Sequence, residues 1–208
     1  VETENGKLYY KLSRNGKPIL DKSRLGFILK EDTLADHLEI IEVLHHSFSG
    51  TWEQIWGEDR IVENNYHEMT IRVQERSAHK RKFNVVFRLF NDGFGFRYEF
   101  PEQEALKDFV IMDELTEFAL TGDHKAWSIP YEAHFYEALY EASPVSKLGW
   151  VSTPLTMETN DGLFLSIHEA NLTDYAAMNL IPKEGSMTLK ANLTPWSTGE
   201  KVFMKAPR

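Results

Sequence analysis

The sequence predicts an all-β protein, an antiparallel sandwich of many strands. Two observations carry that prediction. Segments with an apolar residue at every second position recur about every 8–15 residues, with Gly, Asn or Asp between them. No strand–helix–strand alternation and no Gly-rich phosphate loop interrupts the series. No repeat of fixed period occurs, and no linker rich in Pro, Gly or Ser divides the chain. The expectation is one domain over residues 1–208.

The elements follow in order. Residues 7–20, KLYYKLSRNGKPIL, read as a hairpin turning at Asn15-Gly16, a pair that accepts φ > 0. A short apolar run covers 25–29. Residues 31–44, EDTLADHLEIIEVL, match a helix face or a strand, and the second half reads as strand from its neighbours. Met69, Ile71 and Val73 alternate with polar residues. Residues 80–100 form the strongest hairpin. Phe83, Val85, Phe87 and Leu89 share one face, Asn91-Asp92-Gly93 turns, and Phe94, Phe96, Tyr98 and Phe100 return. So many paired aromatics point to the centre of a core. Residues 102–121 read as a strand pair and 122–130 as a loop. Residues 131–140 read as a short helix or an extended aromatic segment. Residues 152–170 form a last hairpin around Asn160-Asp161-Gly162, and 186–205 give two strands around a turn at 196–199.

Composition narrows the function. The net charge of −9 argues against nucleic acid or an anionic membrane as partner, and fits a neutral sugar or a cation. There is no cysteine, hence no disulfide framework, no cysteine–zinc site and no thiol nucleophile. No apolar run reaches the roughly 18 residues of a membrane-spanning helix. The chain opens on Val1 with no signal peptide before it, so a processed or cloned piece of something longer is expected.

The eight histidines lack metal-ligand spacing: no HExxH occurs, and adjacent His45 and His46 would point to opposite faces of a strand. No GxSxG elbow is present. The 32 carboxylates make a glycosidase pair possible by count alone, which is no argument for one. Trp52, Trp56, Trp127, Trp150 and Trp196 suit stacking on sugar rings, and equally suit core or strand-edge packing. Glu169 has the strongest positional argument. Leu163, Leu165 and Ile167 share a face, and counting on by two places Glu169 on it where the strand runs out. A carboxylate there needs a cation, a substrate, an arginine or water to satisfy it. Alone it supplies one ligand of the 6–8 oxygens that calcium takes.

Several segments, in order, resemble the N-terminal domain of glycoside hydrolase family 97. They are TWEQIWGE (51–58), NNYHEM (64–69), FNVVFRLFNDGFGFRYEFPEQ (83–103), DELTEFAL (113–120), GDHKAW (122–127) and TPLTMETNDGLFLSIHEANLTDY (153–175). The resemblance spans nearly the whole chain. It implies a β-super-sandwich of galactose-mutarotase-like fold, followed by a catalytic (β/α)₈ barrel that carries the catalytic acid and the base or nucleophile. This stretch would then hold no catalytic residue and be inactive alone. The family includes the Bacteroides starch-utilisation α-glucosidase and related α-galactosidases, which implies α-linked oligosaccharide substrates and a periplasmic setting. The family's active-site calcium takes one glutamate from an IHEA-type segment, here Ile167-His168-Glu169-Ala170, so the resemblance assigns Glu169 as a calcium ligand. The other ligands would lie on the barrel, leaving Glu169 accessible here and an apolar docking surface uncovered.

A second class of function is a stand-alone carbohydrate-binding or mutarotase-like module. That reading needs a histidine and a carboxylate converging in a sugar-sized cleft. His124, His134 and Glu169 are available for it.

Overall fold

The computed structural model describes residues 1–132 and 137–207. Among the described residues nineteen strands follow one another: β1 (Glu2–Glu4), β2 (Lys7–Arg14), β3 (Lys17–Leu25), β4 (Phe27–Leu29), β5 (Thr33–Leu34), β6 (Leu38–Glu53), β7 (Ile61–Glu75), β8 (Lys82–Leu89), β9 (Phe94–Glu99), β10 (Asp108–Glu114), β11 (Glu117–Ala119), β12 (Lys125–Ser128), β13 (Glu141–Pro144), β14 (Val151–Ser152), β15 (Leu155–Glu158), β16 (Phe164–Ile167), β17 (Met178–Pro182), β18 (Thr188–Leu193) and β19 (Val202–Lys205). One 3₁₀ turn, Val145–Lys147, is the helical exception among the described residues. The registered pairings among the described residues are antiparallel, as the sequence pattern predicts. Backbone contacts gather the chain into two compact units, one of residues 1–37 and 109–204, the other of 38–108 and 205–208.

The first unit holds four sheets, in the orders β1-β2-β3, β19-β10-β4-β5, β11-β18-β17-β14 and β13-β12-β15-β16. The β2–β3 hairpin turns at Asn15 and Gly16, both with φ > 0 (51° and 77°), as the dipeptide predicts. Asn5-Gly6 makes a second such turn, with φ of 51° and 75°. The sheets are tied by polar bonds that burial makes costly to lose. Tyr10, 1% exposed, donates its hydroxyl to the Glu117 carbonyl at 2.7 Å. Buried Ser23 accepts the Ala119 N–H at 2.9 Å. Leu8, Leu25, Phe27, Leu155 and Leu189, all at 0% exposure, form the apolar filling around them.

The second unit is one sheet, β6-β7-β8-β9. The expected 80–100 hairpin is its β8–β9 pair, and Phe83, Val85 and Phe87 are buried. Its returning strand is only half-buried, so the core deepens toward β7 and β8 rather than β9. The second half of 31–44 is strand, as its surroundings predict, and β6 and β7 run 16 and 15 residues in one long ribbon. A bulge between Ile40 and Glu42 shifts their register. Beyond it the ribbon displays exposed Val43, Phe48, Trp52, Ile55 and Trp56. Phe48 stacks on Tyr66 at 5.5 Å, with the Arg88 guanidinium over the Tyr66 ring at 4.3 Å.

Two local expectations change. The 102–121 strands form, yet β10 pairs with β4 and β11 with β18 rather than with each other. Residues 122–130 contain a strand, β12, whose four residues are too few for alternation to reveal. The reading of 131–140 falls in part on residues 133–136, outside the described residues, and the described flanks carry no regular element.

Candidate functional site

The site is built on the β15–β16 hairpin. Its strands register Leu155 with Ile167 and Glu158 with Phe164. The turn is closed three ways: the Thr159 N–H donates to the Leu163 carbonyl, the Leu163 N–H to Thr159 Oγ1 (2.9 and 3.0 Å), and Gly162 takes φ of 80°. Buried Leu155 and Met157 anchor β15 beneath. The hairpin therefore fixes where β16 stops, and Glu169 follows two residues later.

Glu169 is half-buried. Its Oε1 accepts the Met178 N–H at 2.9 Å, where the chain returns as β17. Its Oε2 has no hydrogen-bond partner among the described residues. Burial holds the Glu169 carboxyl above the usual carboxylate range, and the nearby Glu114 charge pushes the same way, against the pull of the Met178 N–H. Thr153, Pro154, His168 and Glu169 line an open cleft of about 470 Å³. The Thr153–Pro154 bond is cis, and Thr153 Oγ1 donates to the Met178 carbonyl at 3.1 Å. A larger hollow, about 700 Å³, is bounded by the single loop 53–60, so no separate elements converge on it.

Behind Glu169 lies a second carboxylate that sequence reading missed. Glu114 is 7% exposed, and accepts Thr116 Oγ1 on Oε1 and the Tyr175 hydroxyl on Oε2, both at 2.6 Å. Burial pushes its carboxyl up, against the pull of both hydroxyls. Plain alternation along β10 would place Ile111 and Asp113 inside and Glu114 outside. A register shift between Ile111 and Asp113 turns Glu114 inward instead. No residue type at that point signals a bulge.

The other candidates separate from this site. His124 is 5% exposed, and neither ring nitrogen has a partner among the described residues. Burial pushes its imidazole below its ordinary value. His134 lies outside the described residues. His45 and His46 face Met69 and Glu68 in the ladder, on opposite faces of β6. Trp52, Trp56, Trp150 and Trp196 are half-exposed or more, so none of the four is core. Trp127 stacks on Phe164 at 6.2 Å, with Lys125 over its ring. No tryptophan lines the Glu169 cleft.

His124 gives a pH prediction. Its folded value is depressed, so below about pH 6.5 the unfolded chain binds a proton that the folded chain resists. Stability is expected to fall as pH drops through that range, by at most about 1.4 kcal/mol per pH unit for one proton. The melting temperature should drop more between pH 7 and 5.5 in the wild type than in His124→Leu. Parallel curves would remove His124 from the account.

The fold is that of the β-sandwich domains of glycoside hydrolases. The model of the glycosyl-hydrolase 97 N-terminal family matches residues 1–199, and the chain belongs to that family. A retaining α-galactosidase of Bacteroides thetaiotaomicron is 24% identical over 210 residues, covering 93% of this chain and 30% of its own length. A family 97 enzyme of Pseudoalteromonas sp. strain K8, solved in complex with acarbose, is 35% identical with a TM-score of 0.93, over 97% of this chain and 31% of that one. A β-arabinopyranosidase shares the fold at a TM-score of 0.87 and 20% identity. The chain thus spans about a third of the length of these relatives.

Proposed function

We propose that this chain is the non-catalytic N-terminal domain of a calcium-dependent, exo-acting α-glycosidase. It packs on a catalytic (β/α)₈ barrel and donates Glu169 to a calcium ion in the active site. The observation that carries this is the Glu169 carboxylate itself. One oxygen is tied to the Met178 N–H, the other has no partner among the described residues, and the group borders an open cleft.

The donor set fits one share of a calcium site. The carboxylate is a hard oxygen ligand, and the Met178 N–H restricts its rotation. Among the described residues no group of three or more His, Asp or Glu stands together to hold a metal. The remaining ligands would therefore come from the barrel. Calcium held there supplies fixed positive charge that orients sugar oxygens and offsets developing negative charge. The domain's own work is to hold Glu169 in place. The exposed aromatic ribbon of β6 and β7 supplies apolar surface of the kind a neighbouring domain covers.

The α-linked oligosaccharide substrate is supported by the names of the relatives, and the periplasmic setting rests on the family resemblance alone. One is named a retaining α-galactosidase, and the Pseudoalteromonas enzyme was solved with panose and with acarbose. The stand-alone sugar-binding or mutarotase-like reading gains less support. Its histidine His124 is buried and absent from the cleft lining of Glu169.

Calcium titration calorimetry on the full-length enzyme tests the reading. Glu169→Gln keeps the shape and removes the charge. It is expected to weaken calcium binding on the order of 100-fold, since affinity follows the number of charged ligands. Unchanged affinity would return Glu169 to an ordinary strand-end carboxylate.

A further inference from the structure

The loop that carries Glu169 is long and exposed, yet the carboxylate must stand still to serve a metal. Residues 170–174 are exposed, and Asp174 takes φ of 48°. Nothing in that stretch is buried enough to fix its course. Three ties lie at its base. The Met178 N–H holds Glu169, and the Thr194 N–H donates to the Ala177 carbonyl at 2.9 Å. The third tie is longer in sequence. The Tyr175 hydroxyl reaches 61 residues back to Glu114 Oε2 at 2.6 Å. Glu114 is itself immobilised, buried and held on its other oxygen by Thr116, which is 1% exposed.

From this we infer that Tyr175 and Glu114 form a clamp that positions Glu169 for its ligand. This rests on the reading of Glu169 as a calcium ligand. Both are positioning residues, acting through the loop without touching the metal. The chemistry favours the role. A hydroxyl donating to a buried carboxylate is stronger than a neutral pair, and it is short here. The loop is tied at Tyr175 and at Met178, three residues apart, so its course between them is constrained. Losing the Tyr175 tie loosens the loop between Glu169 and Tyr175, while Met178 stays paired with Leu193 in the β17–β18 ladder. Partners of this kind behind a metal ligand typically change affinity 10–100-fold when removed.

The test uses the full-length enzyme and two readouts. Tyr175→Phe deletes one hydroxyl and keeps the ring, so folding is preserved. It is expected to weaken calcium binding about 10-fold. It should also speed amide exchange across residues 168–178 in the calcium-free enzyme. In a Glu169→Gln background the same change should cost no further calcium affinity, which a general structural defect would not reproduce. Glu114→Gln keeps the side-chain shape and an acceptor for Tyr175, and should retain more affinity than Glu114→Ala. If Glu169→Gln weakens calcium and Tyr175→Phe does not, the clamp is wrong and the ligand assignment stands. If Glu169→Gln leaves calcium binding unchanged, the ligand assignment fails and takes the clamp's metal role with it. Unaltered exchange at 168–178 in Tyr175→Phe overturns the clamp in either case.

Discussion

Replacing Arg81 by Met is expected to destabilise the protein by about 3–5 kcal/mol, the cost of leaving a buried charge without its partner. Arg81 and Glu75 are each 7% exposed in their side chains. The guanidinium meets the carboxylate through two parallel bonds, Nε to Oε2 and Nη2 to Oε1, both 2.8 Å. The backbone adds a third, from the Glu75 N–H to the Arg81 carbonyl at 2.9 Å. Together they close the loop between β7 and β8. Arg81→Met removes the bidentate partner of the buried Glu75 carboxylate. The double variant Glu75→Gln/Arg81→Met removes both charges, and should recover much of the loss. Chemical denaturation of Arg81→Met, Glu75→Gln and the double variant measures the coupling directly. A single variant as stable as the double would mean that water reaches Glu75 and the burial is not real. Surface pairs such as Arg60–Glu53, with side chains 80% and 57% exposed, should show no comparable effect.

Phe83→Ala should cost a similar amount, about 3–5 kcal/mol, through lost burial and the cavity it leaves. Phe83 is 0% exposed, opposite buried Val73 in the ladder. Tyr98 and Phe100 lie at centroid distances of 6.2 and 6.4 Å. The sheet cannot collapse around the gap without breaking its ladder. Phe164→Ala is the matched control. That ring stacks on Trp127 but is 61% exposed, and its loss should cost less than about 1 kcal/mol. Equal costs at the two positions would show that aromatic stacking, not burial, sets the energy.

Much of this was legible in the sequence where one physical rule acts alone. Asn15-Gly16 permits a turn that few other pairs permit, and β2 and β3 follow from it. Phe83, Val85 and Phe87 alternate without interruption, and all three are buried. The position of Glu169 past a strand end is likewise a matter of counting. Legibility stops where register is set by contacts distant in the chain. β10 and β11 read as a pair because they are neighbours in sequence, yet each finds its partner elsewhere. Glu114 reads as an outward residue until the register shift after Ile111 turns it inward. Strands as short as β12, with 4 residues, contain too few positions to display a period. Hence the candidate ligand was visible and its support was not.

The long β6 strand has a further consequence, for behaviour in concentrated solution. It lies at one end of its sheet order, paired among the described residues with β7 alone. From Val43 to Glu53 its other side offers an unbroken row of backbone donors and acceptors, a template for any extended chain that meets it. Alignment there is cheap, because no bulge interrupts that stretch; the single register shift falls before Glu42. The carboxylates that would repel a second copy are paired, Glu42 with Arg72 and Glu53 with Arg60. Wherever this edge is left uncovered, fibrillar growth would begin along the ribbon rather than from the buried sheets.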